Sequence, residues 1–157
     1  MSTPDMSTYV VAIGHPSLQS LVGPFVETIR TETRRFDRAG IRNPKPFPSL
    51  IRKVTDPDRR LFGVMTDGEL VGMGSLADDG EVAMAIAATH RGRGIGTCLL
   101  QHLALTAERD GYTRLLMESS RRSRPIAQLG TKFGWTSFDL PHGRVEMTLQ
   151  LPSRATG

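Results

Sequence analysis

A run of glycines and arginines at residues 91–96 has the composition of a phosphate-binding loop. The run reads Arg-Gly-Arg-Gly-Ile-Gly and is followed directly by Thr-Cys-Leu-Leu at 97–100. This pattern is typical of a turn followed by a helix. Glycine tolerates positive φ angles and lets an anion approach the backbone. The first amides of a helix are unpaired and lie at the positive end of its dipole. We therefore expect this loop to hold a pyrophosphate and a helix to begin near Gly94.

The spacing of the glycines separates three kinds of phosphate loop. The nucleoside triphosphate loop requires a lysine after its last glycine, and no lysine follows Gly96 in that register. The dinucleotide fingerprint Gly-x-Gly-x-x-Gly requires a third glycine at position 97 or 99, where threonine and leucine stand. The remaining pattern is Arg-x-x-Gly-x-Gly over residues 91–96.

This pattern resembles the Arg/Gln-x-x-Gly-x-Gly/Ala signature of the GNAT superfamily of acyl-CoA-dependent N-acyltransferases. The resemblance covers about residues 60–150. The segments 115–118, 123–125 and 129–135 are similar to the strand, the turn and the helix exit that follow the loop in this superfamily. The resemblance implies an α/β (α+β) fold with a central mixed, mostly antiparallel sheet, helices on both faces, and a splayed pair of strands that binds acyl-CoA.

The strand before the loop is similar to one branch of the superfamily. Glu81 opens the run Glu-Val-Ala-Met-Ala-Ile ten residues before Arg91, and Ser-Arg-Pro follows at 123–125. These features and Gly130 resemble the catalytic domain of bacterial Pat-type protein lysine acetyltransferases. Gly130 stands where many members of the superfamily carry a tyrosine that protonates the leaving thiolate, and Ser123 stands where they carry an asparagine. The branch resemblance implies that Glu81 is the general base.

The resemblance also implies where the cofactor binds. We expect unpaired amides at Ile86–Ala88 to pair with the pantetheine arm and the thioester oxygen. We expect the amides of Arg93–Thr97 to hold the pyrophosphate, with Arg91 or Arg93 near its phosphates. We expect one of two roles for the arginines that follow the next strand: they bind the ribose 3′-phosphate, or they form a solvated turn. These arginines are Arg121, Arg122 and Arg124. The complete predicted cofactor set is Ile86, Ala87, Ala88, Arg91, Gly92, Arg93, Gly94, Ile95, Gly96, Thr97, Ser123 and Arg124.

Two carboxylates compete for the role of base. A partly buried Glu81 with a raised pKa suits the removal of a proton from an ammonium group. The alternative for Glu81 is a solvated residue at the start of a strand, beside the Asp-Asp-Gly turn at 78–80. Glu118, one strand over, is the rival base. The histidines have no metal-ligand spacing, so we expect no metal.

These residues require a scaffold, and the apolar pattern predicts a single domain over residues 8–151 with a flexible tail at 1–7 and a second tail at 152–157. We predict strands at 8–13, 61–65, 69–76, 81–87, 114–119 and 144–151, and helices at 24–38, 48–54, 94–110 and 125–133. Asp67-Gly68 predicts a hairpin turn. The order strand, glycine loop, helix, strand forms a crossover unit.

Composition excludes several other classes of protein. The chain has 157 residues and is 38% hydrophobic, which suits one domain with a core. A net charge of +4 and 6% aromatic residues, without clusters of basic and aromatic residues, argue against nucleic-acid binding. The single cysteine, Cys98, excludes an intrachain disulfide. No apolar run approaches the roughly 20 residues that span a bilayer, so we expect a cytoplasmic protein without a membrane partner.

The expected function is transfer of an acetyl group from acetyl-CoA to a primary amine, with a protein lysine as the favoured acceptor. A small-molecule amine is the main variant. A non-catalytic acyl-CoA-binding or sensing domain is the alternative, because the tyrosine acid is absent and Ser123 is short. We expect the acceptor to bind between the proline-rich segment 41–48 and the segment 138–143. Acetyl-CoA and the amine are the expected partners, and the sequence leaves a homodimer open.

Overall fold

The computed structural model describes residues 8–14, 16–38, 47–120 and 133–152. The strands in these ranges are β1 (Thr8–Ala12), β2 (Arg60–Thr66), β3 (Glu69–Leu76), β4 (Val82–Ile86), β5 (Arg114–Ser120), β6 (Thr136–Leu140) and β7 (Arg144–Gln150). The α-helices there are α1 (Pro16–Gln19), α2 (Val22–Arg38), α3 (Phe47–Thr55) and α4 (Ile95–Arg109), with short 3₁₀ helices at Ala88–His90 and Pro141–Gly143.

The first sheet consists of four antiparallel strands in the order β1-β2-β3-β4. The β2–β3 hairpin turns at Asp67 and Gly68, which have φ angles of 51° and 79°. Two positive φ angles are the mark of a type I′ turn, whose twist matches that of the flanking strands. The hairpin predicted from Asp67-Gly68 is therefore confirmed.

The second sheet is antiparallel in the order β5-β7-β6 and meets the first sheet at one end. An isolated parallel bridge joins Glu81 to Leu116, and the Leu116 amide donates to the Gly80 carbonyl oxygen over 2.9 Å. Gly80 has a φ angle of 94°, and a Cβ atom at this position would overlap the carbonyl oxygen of Arg114. Only glycine allows this approach of the two strands. The result is the mixed, mostly antiparallel arrangement that the resemblance implied.

Helix α4 covers one face of the first sheet. Its side chains Leu99, Leu100 and Leu103 are buried in a cluster with Phe62 of β2. A Cβ atom at Gly74 of β3 would lie 3.0 Å from Leu99 Cδ2, so α4 rests almost directly on the strand backbone. Each such buried aliphatic side chain stabilises the fold by about 1.5–3 kcal/mol.

Helices α2 and α3 cover the opposite face. Phe25 and Ile29 of α2 and Val54 of α3 pack in one buried cluster with the alanines 83, 85 and 87 of β4 and the residue after it. The small alanine side chains therefore lie under helices. Helices on both faces of the sheet are confirmed.

The predicted elements agree with the structure to within one or two residues, with two omissions. Strand β6 was not predicted, because most of its side chains are exposed and show no buried alternation; it forms by pairing with β7. The short helix α1 was also not predicted. The predicted helix 125–133 lies almost wholly outside the described residues, as does the tail at 1–7, and the single-domain boundaries stay a prediction.

Candidate active site

The glycine loop connects the 3₁₀ turn after β4 to the first turn of α4. Gly92 and Gly94 have φ angles of 76° and 80°, and a Cβ atom at either position would meet nothing within 4 Å. Glycine is therefore needed here for its backbone angle and not for space. Gly96 is already inside the regular turns of α4 and does not have a positive φ angle.

The predicted pyrophosphate amides lie together at the start of α4. Gly94 is the N-cap in the left-handed conformation, and it makes no side-chain cap because it has no side chain. The buried side chain of Ile95 anchors this first turn in the core. A 15-residue helix with an uncapped N-terminus presents its first amides and its positive dipole end to an anion. This geometry suits the phosphate role predicted for Arg93–Thr97.

The side chain of Arg91 reaches back to the end of β4 and to helix α2. Its Nε donates to the Ile86 carbonyl oxygen over 3.0 Å, and its Nη2 lies 3.8 Å from Glu32 Oε2. The guanidinium group therefore contacts the end of β4 and helix α2, and the place of Arg91 or Arg93 near the phosphates stays a prediction. Arg93 is also exposed in the loop.

Strand β4 has one edge paired with β3 and another turned toward β5. Ala87 donates to the Val71 carbonyl oxygen and Ala77 donates to the Glu81 carbonyl oxygen, each over 2.9 Å. In an antiparallel pair such residues alternate with residues whose amides point the other way. Met84 and Ile86 therefore direct their amides toward β5. Among the described residues, β5 is bridged to β4 at Glu81 and Leu116, and the two strands otherwise belong to different sheets. They therefore form the predicted splayed pair, and the gap between them is called the splay below.

The expectation of unpaired amides over Ile86–Ala88 was wrong at two of its three positions. The Ala87 amide is bonded to Val71, because every second amide of the strand faces β3. The Ala88 amide donates to Glu32 Oε1 over 2.9 Å. The register leaves Met84 and Ile86 as the amides that face the splay.

Glu81 stands at the closed end of the splay and is held by two cations. Arg59 Nη1 donates to Oε1 over 2.8 Å and Lys53 Nζ donates to Oε2 over 3.0 Å. Burial by itself raises the pKa of Glu81, but the hydrogen bonds from Arg59 and Lys53 outweigh it and hold the pKa below its ordinary value. The predicted raised pKa was therefore wrong. Glu81 is ionised at neutral pH and is a weaker base than a free glutamate.

The rival carboxylate, Glu118, lies on the same face of the sheets as Glu81. Glu81 is bridged to Leu116, and Glu118 follows Leu116 by the two-residue period of a strand. Glu118 forms an ion pair with Arg144 of β7, and Glu146 lies directly opposite it in the register. Both predicted base candidates thus have cationic partners in this fold.

Several predicted residues fall outside the described ranges. Ser123, Arg124 and Gly130 do so, together with Arg121, Arg122 and most of the acceptor segment 41–48. The other acceptor segment, 138–143, contains the end of β6 and the 3₁₀ turn before β7. In the ranges that are described, no three His, Cys, Asp or Glu side chains gather as a metal site, and no helix is long and apolar enough to cross a membrane.

Sequence reasoning missed three charged residues around the site. Lys53 and Arg59 come from α3 and the turn after it, and nothing in their spacing ties them to Glu81. Glu32 does carry a signal, because it follows Phe25 and Ile29 at helical spacing and thus places a charge on the buried face of α2. The significance of that placement depends on what the helix packs against.

Comparison with known proteins gives consistent results. A model of the acetyltransferase (GNAT) family matches residues 26–131. An N-acetyltransferase of Bacillus subtilis, YsnE, is 29% identical over 92 residues, which are 54% of this chain and 61% of that protein. The match to this relative thus spans less than two thirds of its length.

Two solved structures show the same fold. The GNAT domain of S. lividans PAT is 22% identical with a TM-score of 0.67, covering 92% of this chain and 90% of that one. A GNAT acetyltransferase from Elizabethkingia anophelis, solved with acetyl-CoA bound, is 17% identical with a TM-score of 0.61, covering 93% and 99%. At such identities the likeness concerns the fold alone.

Proposed function

This chain belongs to the acetyltransferase (GNAT) family, and from this premise we propose that it transfers the acetyl group of acetyl-CoA to a primary amine. The observation that carries the proposal is the uncapped start of α4 at the open end of the β4–β5 splay. One end of the site suits a pyrophosphate and the strand edge beside it suits an extended amide chain.

The dimensions of the splay support this assignment. Strand β4 ends at Ile86 and the chain stays extended at Ala87, so Met84 and Ala88 are four residues apart, about 13 Å at the usual rise. A pantetheine arm, with its two amide bonds, has a similar length of roughly 15 Å when extended, since it corresponds to four to five residues of chain. The even-numbered amides of β4 supply donors along this path. The acyl end then lies near Met84, toward the closed end that contains Glu81.

The proposed reaction is direct attack of the amine nitrogen on the thioester carbonyl. The N–C bond forms and the C–S bond breaks, so the sulfur leaves as the thiolate of CoA. A strand amide, from Met84 or Ile86, donates to the carbonyl oxygen as negative charge develops on it. Holding the two reactants in this geometry supplies most of the acceleration.

We assign Glu81 the proton that the acceptor ammonium must lose, directly or through water. The carboxylate is ionised and is near the closed end, which supports the role. Its two cationic partners make it a weak base, so proton removal favours an amine that is already partly neutral. A protein lysine remains the favoured acceptor because of the Pat-like pattern, and a small amine is the variant.

A non-catalytic acyl-CoA-binding domain is the second candidate. It is favoured by the lowered pKa of Glu81, since a carboxylate bound by Lys53 and Arg59 is poorly suited to general-base catalysis. The two candidates share the cofactor site and differ in turnover.

Thermal unfolding with and without acetyl-CoA, followed by thiol-release assays, tests the proposal. At 100 times the dissociation constant, binding adds about 2.7 kcal/mol of stability, a shift of several degrees for a domain of this size. Pantetheine, which lacks the pyrophosphate, is the control and should shift the transition less. Thiol release that depends on an added protein or amine acceptor supports the transferase. A shift without release supports the binding domain, and no shift contradicts both.

A further inference from the structure

Helix α2 carries a carboxylate on its core-facing side. Phe25 and Ile29 are 3% and 4% exposed, and Glu32 continues their stripe one turn later with a side chain that is 13% exposed. A charged group in such a position is unfavourable unless it has partners. The partners of Glu32 therefore indicate why the charge is there.

Both oxygens of Glu32 face the connection between β4 and the phosphate loop. Oε1 accepts the Ala88 amide over 2.9 Å, at the first residue of the 3₁₀ turn. Oε2 is buried, makes no hydrogen bond, and lies 3.8 Å from Arg91 Nη2. Arg91 in turn donates through Nε to the Ile86 carbonyl oxygen over 3.0 Å. The contacts form a closed ring from the strand end, through the turn, to the first residue of the loop.

We propose that Glu32 is a positioning residue that fixes the phosphate loop relative to β4 and thereby sets the affinity for the nucleotide end of CoA. The inference rests on the proposed function, because it takes the loop to be the pyrophosphate site. Glu32 acts through Arg91 and the Ala88 amide, which hold the turn that precedes Gly92. Arg91 is the first residue of the loop motif. It stabilises the position of the loop through its contacts with Glu32 and the Ile86 carbonyl oxygen.

Distance along the strand separates this role from catalysis. Ala88 lies at the phosphate end, beyond the end of β4 and about 13 Å along the extended chain from Met84. The length of the arm places the acyl group near Met84. A general base must reach the proton it removes directly or through one water molecule. Glu32 is bonded to the Ala88 amide and is outside that reach. Its loss should therefore weaken cofactor binding and leave turnover at saturating acetyl-CoA nearly unchanged.

Substitutions at Glu32 separate its two contacts. Glu32→Gln keeps an oxygen for the Ala88 amide and removes the charge that faces Arg91. Glu32→Ala removes both contacts and leaves the Ala88 amide unpaired. Glu27→Gln is the matched control, because Glu27 is an exposed glutamate on the same helix.

The first measurement is the dissociation constant of CoA by titration calorimetry. We expect Glu32→Ala to weaken CoA binding about tenfold or more, the effect of losing a hydrogen bond to a charged group. Glu32→Gln should lie between Glu32→Ala and the wild type, and Glu27→Gln should match the wild type. A double-mutant cycle with Arg91→Ala should be non-additive if the two side chains act together. Equal CoA affinity in wild type and Glu32→Ala contradicts the proposal.

The second measurement is amide hydrogen exchange without any ligand, so it does not depend on the proposed function. Exchange in Glu32→Ala should be faster from Ala88 through Gly94 and unchanged in the β2–β3 hairpin. Faster exchange across the whole domain would instead assign Glu32 to general stability and overturn the inference. If Glu32→Ala does not fold, the same comparison on Glu32→Gln decides, since that variant keeps the Ala88 bond. Failure of the wild type to bind CoA would contradict the proposed function. The exchange result would still show whether Glu32 orders the loop.

Discussion

The contacts of Glu81 illustrate how partners override burial in setting the chemistry of one side chain. Burial disfavours the charged carboxylate, yet Arg59 and Lys53 donate to both of its oxygens and lower the pKa. The neighbouring Arg59 is nearly buried and also donates to the Glu81 carbonyl oxygen over 2.9 Å. Glu81 thus ties α3 and the turn after it to the start of β4, whether or not it also accepts a proton.

The lowered pKa predicts how stability depends on pH at this residue. A group whose pKa is lower in the folded state contributes stability above its unfolded pKa, and the contribution is lost as pH falls through the folded value. Glu81→Gln should therefore unfold at lower urea concentration than the wild type at pH 7, with the difference shrinking in acid below about pH 4. Urea midpoints across this pH range measure the effect.

The control for this variant is Glu69→Gln, since Glu69 is an exposed glutamate at the start of β3. An equal effect in both variants would show that the ion pairs of Glu81 contribute nothing to stability.

The same Glu81→Gln protein tests the catalytic role of Glu81. We expect turnover to fall about 10²-fold, at the lower end of the range for general bases, while acetyl-CoA still binds. Unchanged turnover would remove Glu81 from the mechanism and leave its structural role.

At the scale of elements, the junction of β4 and β5 decides where a cofactor can enter. The two strands are bridged at Glu81 and Leu116, beside the contact of Gly80 with the Arg114 carbonyl. The positive φ of Gly80 and the missing Cβ let β5 approach β4 at this end. Beyond the bridge the strands part, and α4 begins at the other end of the opening.

Substitution of Gly80 should disturb this junction more than substitution of a glycine with the same backbone requirement elsewhere. Gly80→Ala introduces a positive φ for alanine, which costs about 1–2 kcal/mol, and also a clash with the Arg114 carbonyl. Gly68→Ala is the control, because Gly68 has a φ angle of 79° and nothing within 4 Å of a Cβ atom. Urea unfolding should show the larger loss for Gly80→Ala. Equal losses would mean that the strands accommodate the methyl group and that the close approach is not required.

At the scale of the whole molecule, the described residues form two sheets that share few backbone bonds. The bridge at Glu81 and the core around α4 connect them among the described residues. Met117 of β5 and Met147 of β7 are buried in the α4-side cluster with residues of the first sheet. A ligand that lies between β4 and β5 would pair with the free strand edge and add a further connection between the sheets.

Residue-resolved hydrogen exchange with CoA tests this arrangement. We expect the amides of Met84 and Ile86 to become protected on binding, because they face the splay and a pantetheine arm supplies acceptors. Ala85 is the internal control, since its register places its amide toward β3 already. Amides at Gly94–Thr97 should gain protection in parallel. Protection of the loop alone, with Met84 and Ile86 unchanged, would show that the nucleotide binds but the arm lies elsewhere.

The sequence by itself determined most elements, the glycine loop and the family, because these depend on local patterns. Alternating and helical apolar spacing marks elements within a few residues of chain, and the backbone demands at Gly94 are local. Strand β6 was not predicted, because it is stabilised by pairing with β7 and not by burial of its own side chains.

Only the tertiary structure decided the pKa of Glu81 and the contacts of the Arg91 side chain. The partners of Glu81 are 28 and 22 residues away in the chain, and those of Arg91 include a residue of α2. It also decided which amides of β4 are available, since strand register assigns every second one to β3. Hydrogen bonds and ion pairs act over a few ångströms in space, so their effect on a pKa or an amide is determined only when the chain brings distant residues together.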